Sequence, residues 1–422
     1  MLFEFYVSNY RSIKESQKLS MVAAKDTSYQ DINCMPSGIP AIPQLVRTAV
    51  LYGANASGKS NLISALGFMR SMVETSAVGI REGQTLNISP FRFDPQSTNQ
   101  PSEFEINFVE NGVRYQYGFA LNTTRVIKEW LLVYVERKAQ RWFERDYDNK
   151  KDKYQWYFGS HLIGGKKQHQ LWSESTRANA LFLSTAVNLN SEQLRPIYNW
   201  FVNKLVIIGS NSQPLPFYTM DRVKNNVDKP QIIQLLQAAD LGITDVQIKM
   251  HKGQQVQLRL ESGLAAIESK QETDIPSATL FHQGKGENNF IGFDLNEESH
   301  GTQKFFAYAG PILDVLRDGK ILIVDELDGS MHPKMVRFLV SLIQNPDLNK
   351  NNAQLIFTTH NTSLLDTDFL RRDQIWFMEK DKEQASHLYP LTDFSPRKGE
   401  AFERGYLMGR YGALPFLGEF NL

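Results

Sequence analysis

The stretch Val50-Leu51-Tyr52-Gly53-Ala54-Asn55-Ala56-Ser57-Gly58-Lys59-Ser60 constrains this chain more than any other. An apolar run ends in a loop with two glycines, a lysine and a hydroxyl. Helical periodicity follows through Leu62, Ile63, Leu66, Met69 and Val73. Strand, glycine loop and helix in that order is the arrangement of a phosphate site. Glycines let backbone N–H groups face a phosphate, Lys59 neutralises β- and γ-oxygens, and the Ser60 hydroxyl is placed to ligate Mg2+. The expected nucleotide contacts are Gly53, Asn55, Ala56, Ser57, Gly58, Lys59, Ser60 and the adjacent Asn61.

Two later apolar runs read as buried parallel strands. The first, Ile321 to Val324, ends in Asp325 and Glu326. At the carboxyl end of a central strand, Asp325 is expected to hold Mg2+ through water, and Glu326 to orient or deprotonate an attacking water. A solvated acidic turn is the other reading of those two acids. The second run, Leu355 to Thr359, closes on His360. A histidine at the same sheet edge can reach and sense a γ-phosphate, or serve structure alone. Upstream, Ser299-His300-Gly301-Thr302-Gln303-Lys304 opens a segment with Phe305, Phe306, Tyr308 and Ala309 at helical spacing. A small hydroxyl and a glycine at a helix start present N–H donors to an anion, or simply cap the helix.

The remainder fills in the organisation. Leu2, Phe3, Phe5 and Val7 point to an early strand, and a polar segment runs from Ala24 to Pro43. From Phe104 short β-type runs are separated by turn signals at Asn111-Gly112 and Asn122-Thr123. The middle section carries basic residues at Arg137, Lys138, Arg141, Arg145, Lys150, Lys151, Lys153, Lys166 and Lys167, without sustained heptads. A compact helical insert is expected there, and not a long coiled-coil arm. Lysine plus arginine and aspartate plus glutamate are 46 each, so the surface as a whole is no polycation for nucleic acid. A local basic groove is compatible with that balance. The single Cys34 forms no internal disulfide, the N-terminus lacks a long apolar stretch, and no run of 18 apolar residues occurs. A soluble, cytoplasmic protein without a membrane segment is expected.

The motifs VSNYRS, GANASGKS, Ser299 to Gln303, VDELDGSMHP, TTHNTSLLD and GRYGALPFL together resemble the ABC-type ATPases related to SMC and RecF proteins. Within these the likeness is to the OLD/RloA/AbiL-like group, often encoded in bacterial phage-defence operons. The resemblance implies an α/β P-loop ABC-type ATPase head with an inserted, mainly helical subdomain and no long coiled coil. Its expected parts are residues 1–120 with the phosphate loop, an insert at 121–279, and residues 280–422 with the signature, acidic strand and switch histidine. It implies ATP with Mg2+ sandwiched between two heads of a homodimer or higher homo-oligomer, so that Ser299, Gly301, Thr302 and Gln303 act in trans on the phosphates. It also implies that Tyr10, Arg11 and Ser12 lie near the adenine or ribose, and that Asp328 falls in the dimer-contact loop.

Departures from the family pattern are specific. The signature reads SHGTQ, no glutamine stands out as the Q-loop, and Gly310-Pro311 should break or kink the signature helix. Slow turnover, with nucleotide acting mainly as a dimer clamp, would follow. The chain shows no Arg-x4-6-His, His-Asn-His or paired-cysteine zinc pattern of its own, so a separate effector such as a nuclease is implied by the resemblance. The expected function is a defence ATPase controlling that effector. The alternatives are a RecF-like repair ATPase clamping DNA and a nucleotide-dependent scaffold. The tail from Tyr406 to Phe420 either docks a partner or packs on its own head.

Overall fold

The computed structural model describes residues 1–135, 138–209, 216–261, 264–286, 289–396 and 400–415, and of residues 254–273 the backbone alone. Arg137, expected among the basic group, and the tail residues 416–422 lie outside the described residues. The chain divides into two compact units. The first comprises Met1–Asn211, Val315–Leu327 and Leu339–Leu422, and the second Ser212–Asp314 and Asp328–Phe338.

The first unit is built on two sheets. In the parallel one, the strand order is Leu205–Ile208, Ile321–Val324, Gln354–Thr358, Thr48–Tyr52, Ile375–Lys380 and Ser386–Pro390, with only the last strand antiparallel. Runs such as TAVLY, ILIV and QLIFT are buried at every residue, as strands covered on both faces must be. The other sheet is antiparallel, in the order Lys153–Phe158, Lys138–Asp148, Val126–Val135, Val113–Leu121, Ser102–Glu110, Leu2–Ser8 and Gln17–Ser20. Asn111 and Gly112 both take positive φ, 51° and 77°, as a tight hairpin turn demands.

Between the sheets runs the helix Lys59–Thr75, whose Leu62, Ile63, Leu66, Met69 and Val73 are buried in one continuous core. Phe68 meets Phe104 of the antiparallel sheet at 5.1 Å between ring centroids. On the parallel-sheet side, Gly67 approaches Ile207 closely enough that an added Cβ would lie 3.9 Å from its side chain.

The division of contacts moves the expected boundary. Strands from Val126 to Phe158 continue the sheet begun by Leu2–Ser8, so the second unit starts near residue 212 and not at 121. Expected to be mainly helical, the segment 121–279 holds the helices Gly165–Ser175, Phe182–Asn188, Phe217–Lys224 and Lys229–Ala238. Beside them stand those strands and a long antiparallel ribbon, Ile243–Glu261 with Leu264–Gln283. The described residues contain no coiled coil, and none of their helices is long and apolar enough to cross a membrane.

The second unit shows why Gly310-Pro311 leaves the helix His300–Asp318 unbroken. Pro311 has no N–H for the Ala307 carbonyl four residues earlier. The Thr219 hydroxyl donates to that carbonyl at 3.2 Å and accepts the Gly310 N–H at 3.1 Å. A side chain from a neighbouring helix thus supplies the bond that proline removes.

One buried ion pair ties the antiparallel sheet to the helix Phe182–Asn188. Glu129 and Arg145 are both fully buried, with Arg145 Nε 3.1 Å from Glu129 Oε2. Glu129 also accepts from the Tyr117 hydroxyl at 2.9 Å and from the N–H groups of Phe182 and Leu183 at 2.7 and 3.0 Å, satisfying the helix start. Burial and the Glu129 charge hold the Tyr117 phenol well above its usual range, so it stays a donor. Glu129→Ala is expected to cost about 3–5 kcal/mol in urea unfolding, because a guanidinium and two amide donors lose their acceptor in the core. A loss below about 1 kcal/mol, the range of an exposed pair, would show the pair to be peripheral.

Candidate functional site

The loop Gly53–Gly58 leaves the central parallel strand at its carboxyl end and turns into the helix at Lys59. Its glycines answer to close approach. A Cβ on Gly53 would lie 2.3 Å from the Met378 carbonyl oxygen and 2.6 Å from Ser57 Oγ. Gly58 has φ +115°, and a Cβ there would lie 2.3 Å from Ser386 Oγ. Ala56 also sits in the left-handed region, at φ 61°. Asn55 and Ala56 are exposed, whereas Lys59 is buried with its ammonium donating to the Gly53 and Ala54 carbonyls at 2.8 and 3.1 Å. The lysine thus bridges the loop it is expected to serve. Ser60 is exposed at the first turn of the helix.

A second group closes on the helix start from the N-terminal turn. Arg11, at φ 52°, places Nη1 3.4 Å from Asn61 Oδ1, and Asn61 Nδ2 donates to Ser12 Oγ at 2.7 Å. Ser386 Oγ lies 2.7 Å from both Ser12 Oγ and the Ser57 carbonyl oxygen, and its N–H donates to the Ser12 carbonyl. The expected pair Arg11 and Ser12 therefore meets the phosphate-loop helix directly.

On the other side of the loop strand, topology inserts one strand between Thr48–Tyr52 and Ile321–Val324. It is Gln354–Thr358, the strand that leads to His360. Asp325 is 5% exposed and Glu326 is exposed, with Glu326 at φ +54°. Thr358 joins them. Its hydroxyl donates to Asp325 Oδ1 at 2.7 Å and accepts the Glu326 N–H at 2.7 Å. His360 is exposed just beyond the strand end, and the neighbouring Asn361 carbonyl accepts the Tyr52 hydroxyl at 3.0 Å. Phosphate loop, acid pair and histidine thus share one edge of one sheet.

Ser299, Gly301, Thr302 and Gln303 lie in the second unit. Ser299 Oγ accepts the Thr302 N–H at 3.1 Å and Ser299 O accepts the Gln303 N–H at 2.9 Å, the arrangement of a helix cap. Gly301 runs close to the loop at Ser330, where an added Cβ would come within 3.1 Å of the carbonyl oxygen. Asp328 belongs to the same unit, and its carbonyl accepts the Met331 N–H.

The described part of the tail packs on its own unit. Tyr406 stacks on Phe377 at 5.4 Å, the Ala413 N–H donates to Glu379 at 2.9 Å, and Tyr411 donates to Glu400 at 2.7 Å. Burial and the Glu400 contact push the Tyr411 phenol up to about 12. Ala413, Leu414 and Pro415 face the loop residues Ala54–Ser57 across a cavity of about 330 Å3 that Glu379, Lys380 and Gln384 also line.

Sequence reasoning passed over Thr358 and Ser386. Thr358 was one more residue of an apolar run, and its partners become visible only through the register that sets Phe357 against Val324. Ser386, some 330 residues from Ser57, carries no local signal at all.

A family model described as "AAA domain, putative AbiEii toxin, Type IV TA system" matches residues 49–366. A search among curated proteins gives no match. Among solved structures, the chain is similar to the SMC head domain from Thermotoga maritima, at 13% identity and a TM-score of 0.42 over 92% of this chain and 98% of that one. It is also similar to an Smc head bound to the C-winged helix domain of ScpA, at 10% identity and 0.41 over 92% and 97%. A third is an Smc head with an extended coiled coil bound to the C-terminal domain of ScpA, derived from Pyrococcus furiosus, at 10% and 0.39 over 97% and 98%.

Gly58→Ala should lower stability by about 1–3 kcal/mol, since the new methyl meets Ser386 in a backbone conformation that disfavours any side chain. Urea unfolding measures it. A midpoint unchanged from wild type would mean that the Ser386 contact yields freely.

Proposed function

The chain belongs to that AAA-domain family, and on this premise we propose that it is an ABC-type ATPase of the OLD/RloA/AbiL-like group that closes head to head around ATP. In that state it controls a separate effector, a nuclease, in anti-phage defence. The observation that carries the proposal is the shared sheet edge, with a glycine-dependent phosphate loop on one strand and a hydroxyl-linked pair of acids two strands away.

The residues divide the work as follows. Loop N–H groups from Asn55 to Lys59 cradle phosphate oxygens, and the Lys59 ammonium exchanges the Gly53 and Ala54 carbonyls for β- and γ-oxygens. Arg11, Ser12 and Asn61 border the nucleoside side. Glu326 orients the attacking water and takes its proton, while His360 contacts the γ-phosphate. Ser299, Gly301, Thr302 and Gln303 of a second copy complete the site, which leaves a lone head slow.

Mg2+ fits the donors present. The Asp325 carboxylate and the Ser60 hydroxyl are hard oxygen ligands, and among the described residues no cluster of three or more His, Cys, Asp or Glu offers a cage. Such an ion would draw its remaining ligands from nucleotide and water, and when bound it neutralises charge developing on the phosphates.

The DNA-clamp alternative rested on the basic middle section. There Arg125 pairs with Asp152, Lys128 and Arg141 with Glu144, and Lys151 with Asp148. Arg145 is buried against Glu129. This mixed-charge surface favours protein contacts over a polyanion groove. The balanced 46 and 46 charges likewise let two copies meet without strong repulsion.

Glu326→Gln tests the reading. The variant should bind ATP with Mg2+, lose hydrolysis by about 10²–10⁴-fold, and accumulate as a dimer in size-exclusion chromatography with light scattering. Unchanged turnover removes Glu326 from its role. Loss of turnover with a strictly monomeric ATP-bound protein removes the head-to-head closure.

A further inference from the structure

Thr358 is fully buried, yet its side chain is bonded at both of its polar functions. The roles are fixed by chemistry. The Glu326 N–H can only donate, so the hydroxyl accepts from it and gives its own proton to Asp325 Oδ1. The result is a chain from amide to hydroxyl to carboxylate in which each bond polarises the next. The Thr358 carbonyl adds a further link by accepting the Leu327 N–H at 3.1 Å, and the Asp325 N–H goes to the Ile208 carbonyl on the far strand. Glu326 lies in the middle of this set with φ +54°, a conformation that costs energy for a residue with a side chain and persists only when its surroundings fix it.

Thr358 also sits at the head of a relay to the phosphate loop. The Thr359 N–H donates to the Leu51 carbonyl at 3.2 Å, and Thr359 Oγ1 accepts the Asn361 N–H at 3.0 Å. The Asn361 carbonyl accepts the hydroxyl of Tyr52, the residue before Gly53. Hydrogen bonds and the four consecutive residues Thr358 to Asn361 therefore connect the acid pair to the start of the loop. A β-branched side chain, stiff about χ1, suits a hydroxyl that must point one way.

We propose that Thr358 is a positioning residue of the nucleotide site. Its hydroxyl holds the Glu326 backbone in the left-handed turn and orients the Asp325 carboxylate, so that one side chain sets the metal-facing acid and the water-facing acid relative to each other. Serine keeps this function in part. Valine, of the same shape, abolishes it. The proposal rests on the ATPase reading for its consequence in turnover, and on geometry alone for its consequence in the backbone.

The test uses the full chain as wild type, Thr358→Val, Thr358→Ser and Glu326→Gln. Two measurements are made: steady-state ATP hydrolysis with a Mg2+ titration, and amide hydrogen exchange across residues 321–327 without nucleotide. The valine variant should lose about tenfold to a hundredfold in kcat and need more Mg2+. Its KM for ATP should stay within about threefold of wild type, because the loop contacts are intact. Its Glu326 amide should exchange faster, and serine should restore both readouts to within about threefold of wild type. The proposal falls if valine exchanges and turns over like wild type, or if serine is as impaired as valine in both. Should valine fail to fold, Thr358→Ala takes its place against serine. If wild type hydrolyses no more than Glu326→Gln, the ATPase reading fails, and the exchange data still decide whether Thr358 fixes the Glu326 backbone.

Discussion

A parallel sheet buried on both faces concentrates its unsatisfied polar groups at the strand ends, and this chain's candidate site is built from that necessity. Five parallel strands stop along one edge, and each backbone group left over must find a partner there. Here the partners are small hydroxyls. Thr358 satisfies Glu326 and Asp325, Thr359 satisfies Asn361, and Ser386 meets Ser12 and Ser57. Such side chains are short enough to stay inside a packed edge and carry both donor and acceptor. The same crowding forces glycine at Gly53 and Gly58, where the backbone passes the Met378 carbonyl and Ser386 too closely for any Cβ.

What the sequence makes legible follows from how local each cause is. The phosphate loop is legible because its glycines, lysine and hydroxyl are contiguous and its helix is periodic. Asp325 and Glu326 are legible because a fully apolar run before two acids leaves few other readings. The boundary near residue 212 is not legible. Strands at 126–158 carry the same alternating pattern whether they extend the first sheet or begin a separate domain, and only their pairing with Val113–Leu121 decides it. The unbroken helix at Pro311 is hidden for a related reason, since the replacement bond comes from Thr219 on another helix. Thr358 and Ser386 are silent because their partners are distant along the chain.

Basic residues in the middle section illustrate how composition misleads in either direction. Nine lysines and arginines in a polar stretch look like a footprint for a polyanion, yet Arg141, Arg145 and Lys151 among them face carboxylates, as do the neighbouring Arg125 and Lys128, and Arg145 is wholly inside. Exposed pairs of that kind contribute little to stability. What they change is the field: paired charges cancel at the distance where a phosphate backbone would sense them. A surface of alternating sign is suited to meeting another protein of alternating sign, which agrees with the proposed closure of the head on its own copy.

On the proposed reading, Lys59 and Glu326 suit a head that rests without firing. The lysine donates to two carbonyls of its own loop, and because it is buried a phosphate must offer acceptors in their place to draw it away. Glu326 is exposed but held in a left-handed turn by a neighbour's hydroxyl, so its position is set before any ligand arrives. One element is pre-formed and the other must exchange partners. The free energy of that exchange belongs to nucleotide binding and not to the chemical step. On the proposed ATPase reading, a site so divided binds its ligand as the event that commits it, and leaves the rate of hydrolysis to the second copy proposed to complete the edge.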